Sequence, residues 1–166
     1  MNAGAYDGEM AQVVTEVRGI LPDGTGVCVP REDMDFGYRH SAVQEKGFIV
    51  TEVTFELKPG DPAAIRARMS ELNAKRAEKQ PLDLPSAGST FKRPEGYYAA
   101  ALIDQCGLKG YSIGGARVSE KHAGFLVNTG TSSRDFLNLM KKVQEIVEER
   151  AGVRLEPEIR ITGTEE

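Results

Sequence analysis

Leu84-Pro85-Ser86-Ala87-Gly88-Ser89-Thr90-Phe91-Lys92-Arg93-Pro94 is the stretch around which the chain is organised. Two prolines bracket a run of small residues, and the run presents one hydroxyl, Ser89, with a lysine and an arginine just beyond it. Gly88 lets the backbone bend or approach a ligand closely, while Pro85 and Pro94 restrict the chain on either side. By composition this is a surface loop, because Gly, Ser and Pro are ordinary loop residues. Its neighbours give it weight: Tyr38-Arg39-His40-Ser41 lies upstream, and Leu155-Glu156-Pro157-Glu158-Ile159-Arg160 stands near the end of the chain.

Upstream of the serine run, Asp61-Pro62 opens a helix, since Asp can cap it and Pro is tolerated at the first helical position. Ile65, Met69 and Leu72 share one face, Arg66, Arg68, Lys75 and Lys79 cover the rest, and Pro81 closes the helix. These basic residues read as a solvated face. Phe48 to Leu57 carries β-branched residues and near-alternation, the marks of a strand. Met10 to Ile20 and Val27 to Val29 flank the turn signal Pro22-Asp23-Gly24-Thr25-Gly26 and predict a hairpin. Arg31 to Tyr38 is polar and reads as a loop or short helical turn. Met1 to Gly8 reads as a glycine-containing loop that would fray as a free N-terminus.

Downstream, Gly96 to Cys106 predicts a short helix with Ala101, Leu102 and Ile103 packing inward, stopped at Gly107. Ala123 to Asn128 reads as a strand. Ser132 to Arg150 is the strongest helix: Ser132 and Asp135 have capping-box spacing. Phe136, Leu139, Met140, Val143, Ile146 and Val147 make its apolar face, and Gly152 marks the stop. Val153 to Ile161 predicts a last strand ahead of a polar tail. The fold class is therefore α+β, with helices packed on a sheet in residues 58–166 and a β-rich region in residues 1–57.

The apolar share of 40% and charged share of 28% are those of a soluble globular protein. No apolar run approaches the roughly 20 residues needed to span a bilayer, and the first residues lack the order of a signal peptide. A formal charge of −4 argues against nucleic-acid binding driven by bulk charge. Cys28 and Cys106 form no CxxC pair, so reduced thiols in the cytoplasm are expected. His40 and His122 form no metal-ligand pattern, and no metal site is expected. Ile113-Gly114-Gly115-Ala116 is not a dinucleotide fingerprint.

Three polar groups could carry chemistry: Arg39, Ser89 and Glu158. Ser89 has no GxSxG elbow and neither histidine has a matching partner, so hydrolase chemistry is disfavoured. An arginine can hold a carboxylate in bidentate fashion, and a buried glutamate can stay protonated and act as an acid. Taken singly, each also reads as an ordinary surface or turn residue.

The combination does more. Asn2-Ala3-Gly4-Ala5-Tyr6, Tyr38-Arg39-His40-Ser41, Gly88-Ser89-Thr90-Phe91-Lys92-Arg93-Pro94, Leu102-Ile103-Asp104-Gln105-Cys106-Gly107-Leu108-Lys109-Gly110, Ile113-Gly114-Gly115-Ala116 and Leu155-Glu156-Pro157-Glu158 occur in this order. With them the chain resembles the UDP-N-acetylenolpyruvoylglucosamine reductase family, flavoenzymes of peptidoglycan precursor synthesis. The resemblance implies that NADPH reduces a bound FAD, which passes hydride to the enolpyruvyl group of the UDP-sugar. It implies that Arg39 and Glu158 hold the substrate carboxylate and stabilise the developing charge, and that Ser89 donates the proton. Tyr6, Tyr38, Arg93, Lys109, His122 and Arg160 fall where the family touches the UDP-sugar, although the positions of Arg93 and His122 carry amides in part of the family. Gly4 and Ala5 match a segment that lies against the flavin.

The compact intervals from Arg39 to Ser89 and from Pro94 to Leu102 look like the shorter subtype of the family. Family members also carry a flavin-binding region ahead of the motif at Asn2, including a loop that cradles the FAD phosphates. The chain is thus expected to be the C-terminal part: the tail of the FAD-binding domain (1–57) and the substrate-binding domain (58–166), binding FAD poorly by itself. Two other readings stay open. One is a non-catalytic module for a UDP-sugar or other anion. The other is a truncated remnant that folds only with a partner supplying the missing strands, an association, self-association included, that exposed apolar edges around Val13 to Val29 would favour.

Overall fold

The computed structural model describes residues 1–163. These form two compact units, one of Met1–Pro62 and one from Ala63 onward, and the class is α+β with antiparallel sheets.

In the first unit, β1 (Gly4–Ala5) and β2 (Gly8–Glu9) make a minimal hairpin. They are followed by β3 (Val14–Ile20), β4 (Gly26–Pro30), the short helix α1 (Ala42–Lys46) and β5 (Ile49–Phe55). β3 is the centre of a sheet ordered β4-β3-β5, with Val17 opposite Val29 on one side and Val53 on the other. Those β-branched residues pack with Val14, Met34 and Phe48 into a small core. The β3–β4 turn forms as the sequence signals, with Thr25 N donating to Asp23 Oδ1 at 2.9 Å. β3 starts later than the pattern suggests, because a capping box between Glu9 and Gln12 curls Met10–Gln12 into a 3-10 turn. α1 escapes the sequence pattern, though Ser41 and Gln44 form a reciprocal capping box at its start.

The second unit contains α2 (Pro62–Lys79) from its second residue on, β6 (Ser86–Ser89), α3 (Ala99–Gln105), β7 (Ser112–Ile113), β8 (Ala116–Val118), β9 (Phe125–Asn128) and α4 (Ser133–Ala151). Its sheet runs β6-β9-β8-β7, all antiparallel. α4 packs on β7, β8 and β9, burying Leu139, Met140, Val143 and Val147, with Phe136 and Ile146 at the margin of the core. Ser132 Oγ accepts the Asp135 N–H at 3.4 Å. The Asp135 carboxylate turns to the Gly115 N–H at 2.9 Å, which ties the helix start to the β7–β8 turn. Gly152 ends the helix at φ +66°.

Three expectations change. The last strand shrinks to one bridge between Phe91 and Pro157, held by the flanking bonds from Lys92 N to Glu156 O and from Glu158 N to Thr90 O. The final three residues of the polar tail, 164–166, lie outside the described residues. α3 begins at Ala99, which is buried, and leaves Ala101 exposed. The apolar stripe of α2 finds no core: no residue of that helix is buried, and Ile65 and Met69 are 49% and 58% exposed.

No helix among the described residues is long and apolar enough to cross a membrane. Both cysteines are free thiols, Cys106 buried and Cys28 exposed. A hydrogen bond with Glu16 pushes the Cys28 thiol up and so disfavours its thiolate.

Candidate active site

In the first unit, two tight turns present the expected ligand-facing residues. Tyr6 and Asp7 connect β1 to β2 with φ of +50° and +66°. Gly37 and His40 exchange backbone hydrogen bonds of 3.2 Å across Tyr38-Arg39, with Arg39 at φ +54°. Non-glycine residues in this region carry strain of order 1 kcal/mol each and persist where their surroundings over-determine them. The surroundings here centre on Asn2, only 5% exposed. Its Nδ2 donates to Glu9 Oε2 at 2.5 Å and Gly37 O at 3.0 Å, and its Oδ1 accepts from Ala11 N at 2.9 Å. The first residues are therefore pinned rather than frayed, and the Met1 amino group also reaches Ser41 Oγ at 3.2 Å.

Between the turns lies a cavity of about 300 Å³ that gathers Gly4, Ala5, Tyr6, Tyr38 and Arg39. The Arg39 guanidinium stands over the Tyr38 ring, 5.2 Å from its centroid. At the base of the second turn, His40 Nε2 lies 3.0 Å from Asp35 Oδ2 and 3.7 Å from Glu45 Oε1. These three side chains have metal-ligand atoms within 4.8 Å of one another. The sequence could not signal this cluster, because the partners of the histidine are carboxylates brought in by the turn.

In the second unit, the serine run is an edge strand rather than a loop. Ser86 pairs with Val127 and Ser89 with Phe125, with an irregularity between them, and Gly88 sits at φ +86° inside it. Such a bulge twists the strand and re-aims the side chain that follows, here Ser89. Thr90 is fully buried. Its N–H donates to Gly124 O at 2.9 Å, its Oγ1 accepts from Leu126 N at 3.3 Å, and its carbonyl accepts from Glu158 N at 2.9 Å. Lys92 N donates to Glu156 O at 2.8 Å, and the two side chains form an ion pair. Residues 90–92 and 156–158 are thereby laced together, which brings Glu158 alongside the strand that carries Ser89. Ser89 is exposed and Glu158 is half-buried, not the fully buried acid the sequence reading allowed for. Arg39 belongs to the first unit.

The cationic groups of the second unit lie on its surface. Arg93 stacks over the Tyr98 ring at 4.1 Å and donates through Nε to Tyr97 O at 3.4 Å. Lys109 pairs with Asp104 at 2.7 Å, and Arg160 is exposed. His122 is half-buried, with its ring edge-on to Phe125 at 4.9 Å and 72°. Burial, with help from the Lys109 charge, lowers its pKa below the ordinary histidine value. Sequence reasoning missed three polar residues that shape the site. They are Asn2, Thr90 and Ser119, whose Oγ accepts the Lys121 and His122 N–H groups at 3.2 and 3.3 Å.

The residues expected to meet a flavin fit it in part. A cavity of about 300 Å³ stands at the lower limit for small-molecule pockets. Gly4 and Ala5 can therefore line one edge of a flavin but do not enclose FAD.

The profile of the UDP-N-acetylenolpyruvoylglucosamine reductase C-terminal domain matches residues 80–162, and the chain belongs to that family. The UDP-N-acetylenolpyruvoylglucosamine reductase of Limosilactobacillus fermentum is 58% identical over 165 residues, covering 98% of this chain and 55% of the relative. That of Agathobacter rectalis is 53% identical over 164 residues, covering 98% of this chain and 52% of the relative. The crystal structure of UDP-N-acetylenolpyruvylglucosamine reductase from Thermus caldophilus superposes with a TM-score of 0.82 at 38% identity, over 96% of this chain and 57% of that one. The chain spans about half the length of the curated relatives it matches.

Proposed function

We propose that this chain is the substrate-binding part, with a share of the flavin-facing surface, of a cytoplasmic reductase. The reaction is the reduction of UDP-N-acetylglucosamine enolpyruvate to UDP-N-acetylmuramate with NADPH through FAD, a step of peptidoglycan precursor synthesis. On this reading residues 1–57 belong to the flavin domain and residues 58–166 bind the UDP-sugar. The observation that carries it is the lacing of residues 90–92 to 156–158, which joins the backbone of Glu158, the candidate carboxyl group, to Thr90, the chain neighbour of the candidate proton donor Ser89.

The flavin, when bound, supplies to the enolpyruvyl double bond the hydride it takes from NADPH. The protein must then hold the substrate carboxylate and manage the negative charge that hydride addition creates. Arg39, with five donors in a rigid fork, suits the carboxylate, and Glu158 shares in stabilising the charge. Ser89 gives its hydroxyl proton to the carbon next to the one that accepts hydride. A serine hydroxyl is a weak acid, so it works only against a strongly basic carbon and needs a relay to restore its proton. Arg93, Lys109, His122 and Arg160 hold the UDP-sugar together with Tyr6 and Tyr38, while Gly4 and Ala5 face the flavin.

Calorimetry with UDP-N-acetylglucosamine tests the binding role. Arg93→Ala and Lys109→Ala are each expected to weaken affinity about tenfold, the loss of a charge-assisted hydrogen bond. Unchanged affinity in both variants rejects the assignment. Mixed with FAD and filtered, the chain is expected to come through colourless. Flavin bands that stay with the protein would show a usable cofactor site, and NADPH oxidation in wild type and Ser89→Ala would then be compared directly.

A further inference from the structure

Beyond the bridge between Phe91 and Pro157, the two laced segments separate. Continued, their antiparallel register would set Ala87 against Ile161 and Pro85 against Gly163, yet no backbone hydrogen bond among the described residues joins them there. Both segments instead line a cavity of about 710 Å³, together with residues from the first half of α4. That volume lies within the range of small-molecule pockets. Phe136, Leu137 and Ile159 supply apolar lining and also pack against the core of the unit. Gln144 ties the terminal segment to α4, its Nε2 donating to Leu155 O at 2.7 Å. The walls are therefore set by the folded core, and the cavity is formed ahead of any ligand. None of the residues proposed above for the UDP-sugar or the flavin lines it.

We propose that this cavity binds a small organic anion, a ligand with an apolar body and one carboxylate, phosphate or sulfonate group. The apolar lining suits the body, and the charge of the lining selects the head. Arg134 and Lys141 both line the cavity, and among the described residues no carboxylate does. In a chain of net charge −4 this is a local reversal of sign. Lys141 is exposed and makes no ion pair among the described residues, so its ammonium can turn to the ligand. The amides of Asn128 and Asn138 add polar groups that can fix the orientation of the head. A cationic ligand of the same shape would meet two like charges with nothing to offset them.

Two fluorescent probes with one aromatic body test this in the full chain: 8-anilinonaphthalene-1-sulfonate and the uncharged N-phenyl-1-naphthylamine. The sulfonate is expected to bind once per chain, and the uncharged probe about tenfold more weakly. Amide spectra should place the sulfonate probe at Ala87, Leu137 and Ile161. Lys141→Ala is expected to weaken the sulfonate about tenfold, the loss of a charge-assisted contact, and to leave the uncharged probe unchanged. Ala87→Phe, which fills the cavity from an exposed strand position, should weaken both. Equal losses of the two probes in Lys141→Ala overturn the proposal, as does binding confined to other apolar surface such as Ile49 and Phe55, 72% and 48% exposed. Displacement of the probe by FAD or UDP-N-acetylglucosamine would make the cavity part of the sites proposed above and overturns it too. Binding seen only in a chain ended at Gly163 would assign the cavity to residues 164–166 instead of a separate ligand.

Discussion

The two units are held together by different means. From Ala63 onward, fifteen buried residues among those described form one apolar cluster around α4, including Leu102, Ile103, Leu126 and Leu139. In Met1–Pro62 the corresponding cluster has five, and a buried amide, Asn2, does much of the remaining work. The larger unit resembles an ordinary domain core that holds a strand edge in place. The smaller one sustains two strained turns through hydrogen bonds, close to the cavity that gathers its candidate ligand-facing residues. Strain at such turns is what a binding surface needs and what a small apolar core supports poorly.

The largest effect expected from this contrast is in the cores. Leu139→Ala should cost about 2–5 kcal/mol, the usual range for deleting a buried leucine, read by urea denaturation with site-resolved amide exchange. Met34→Ala in the first unit should cost at least about 1 kcal/mol less, because a thin core collapses more readily around the void. The reverse order would mean that the five-residue cluster carries more of the fold than its size suggests.

The same contrast decides what could be read from the sequence. α4 was legible in full, since its cap, apolar stripe and glycine stop are local signals that agree with one another. The β3–β4 hairpin was legible for the same reason. β6 was hidden because Ser-Ala-Gly-Ser has no strand propensity, and its state is set by β9, almost forty residues away. The stripe on α2 misled, since helical periodicity reports what could be buried, not what meets it. The turns at Tyr6-Asp7 and Tyr38-Arg39 were invisible because left-handed backbone is signalled by glycine, and at Tyr6, Asp7 and Arg39 no glycine stands. Their cause is one asparagine whose partners Glu9, Ala11 and Gly37 are assembled only by the fold. The resemblance could name Tyr6, Tyr38 and Arg39, but it could not explain what holds them.

Breaking that hub gives the second effect. Asn2→Asp removes the donor to Gly37 O and sets a carboxylate against Glu9, so a loss of about 1–3 kcal/mol is expected for the stranded polar groups. Exchange of the Met10 and His40 amides, which donate to Ala3 O and Gly37 O, should accelerate while β9 stays protected. Unchanged exchange at those amides would mean that the turns hold their strain without Asn2.

The smallest effect sits on α2, which has no buried residue and so depends more than α4 on its own surface pairs. Glu71 accepts from Arg68 at 2.6 Å and from Lys75 at 2.5 Å, and these two bonds, the lysine first, lower its pKa from 4.5 to about 2. The unfolded chain therefore takes up the proton first as acid is added. The stabilisation is complete above about pH 4.5, shrinks below it, and is gone once the pH has passed through about 2. Because the group is fully exposed, salt should erase much of it. Circular dichroism of wild type and Glu71→Gln at low salt should show a slightly less helical variant at pH 7 and matching helicity near pH 2. A difference that persists in acid would place the role of Glu71 outside its charge, whereas no difference at pH 7 would mean that α2 is held by something other than these pairs.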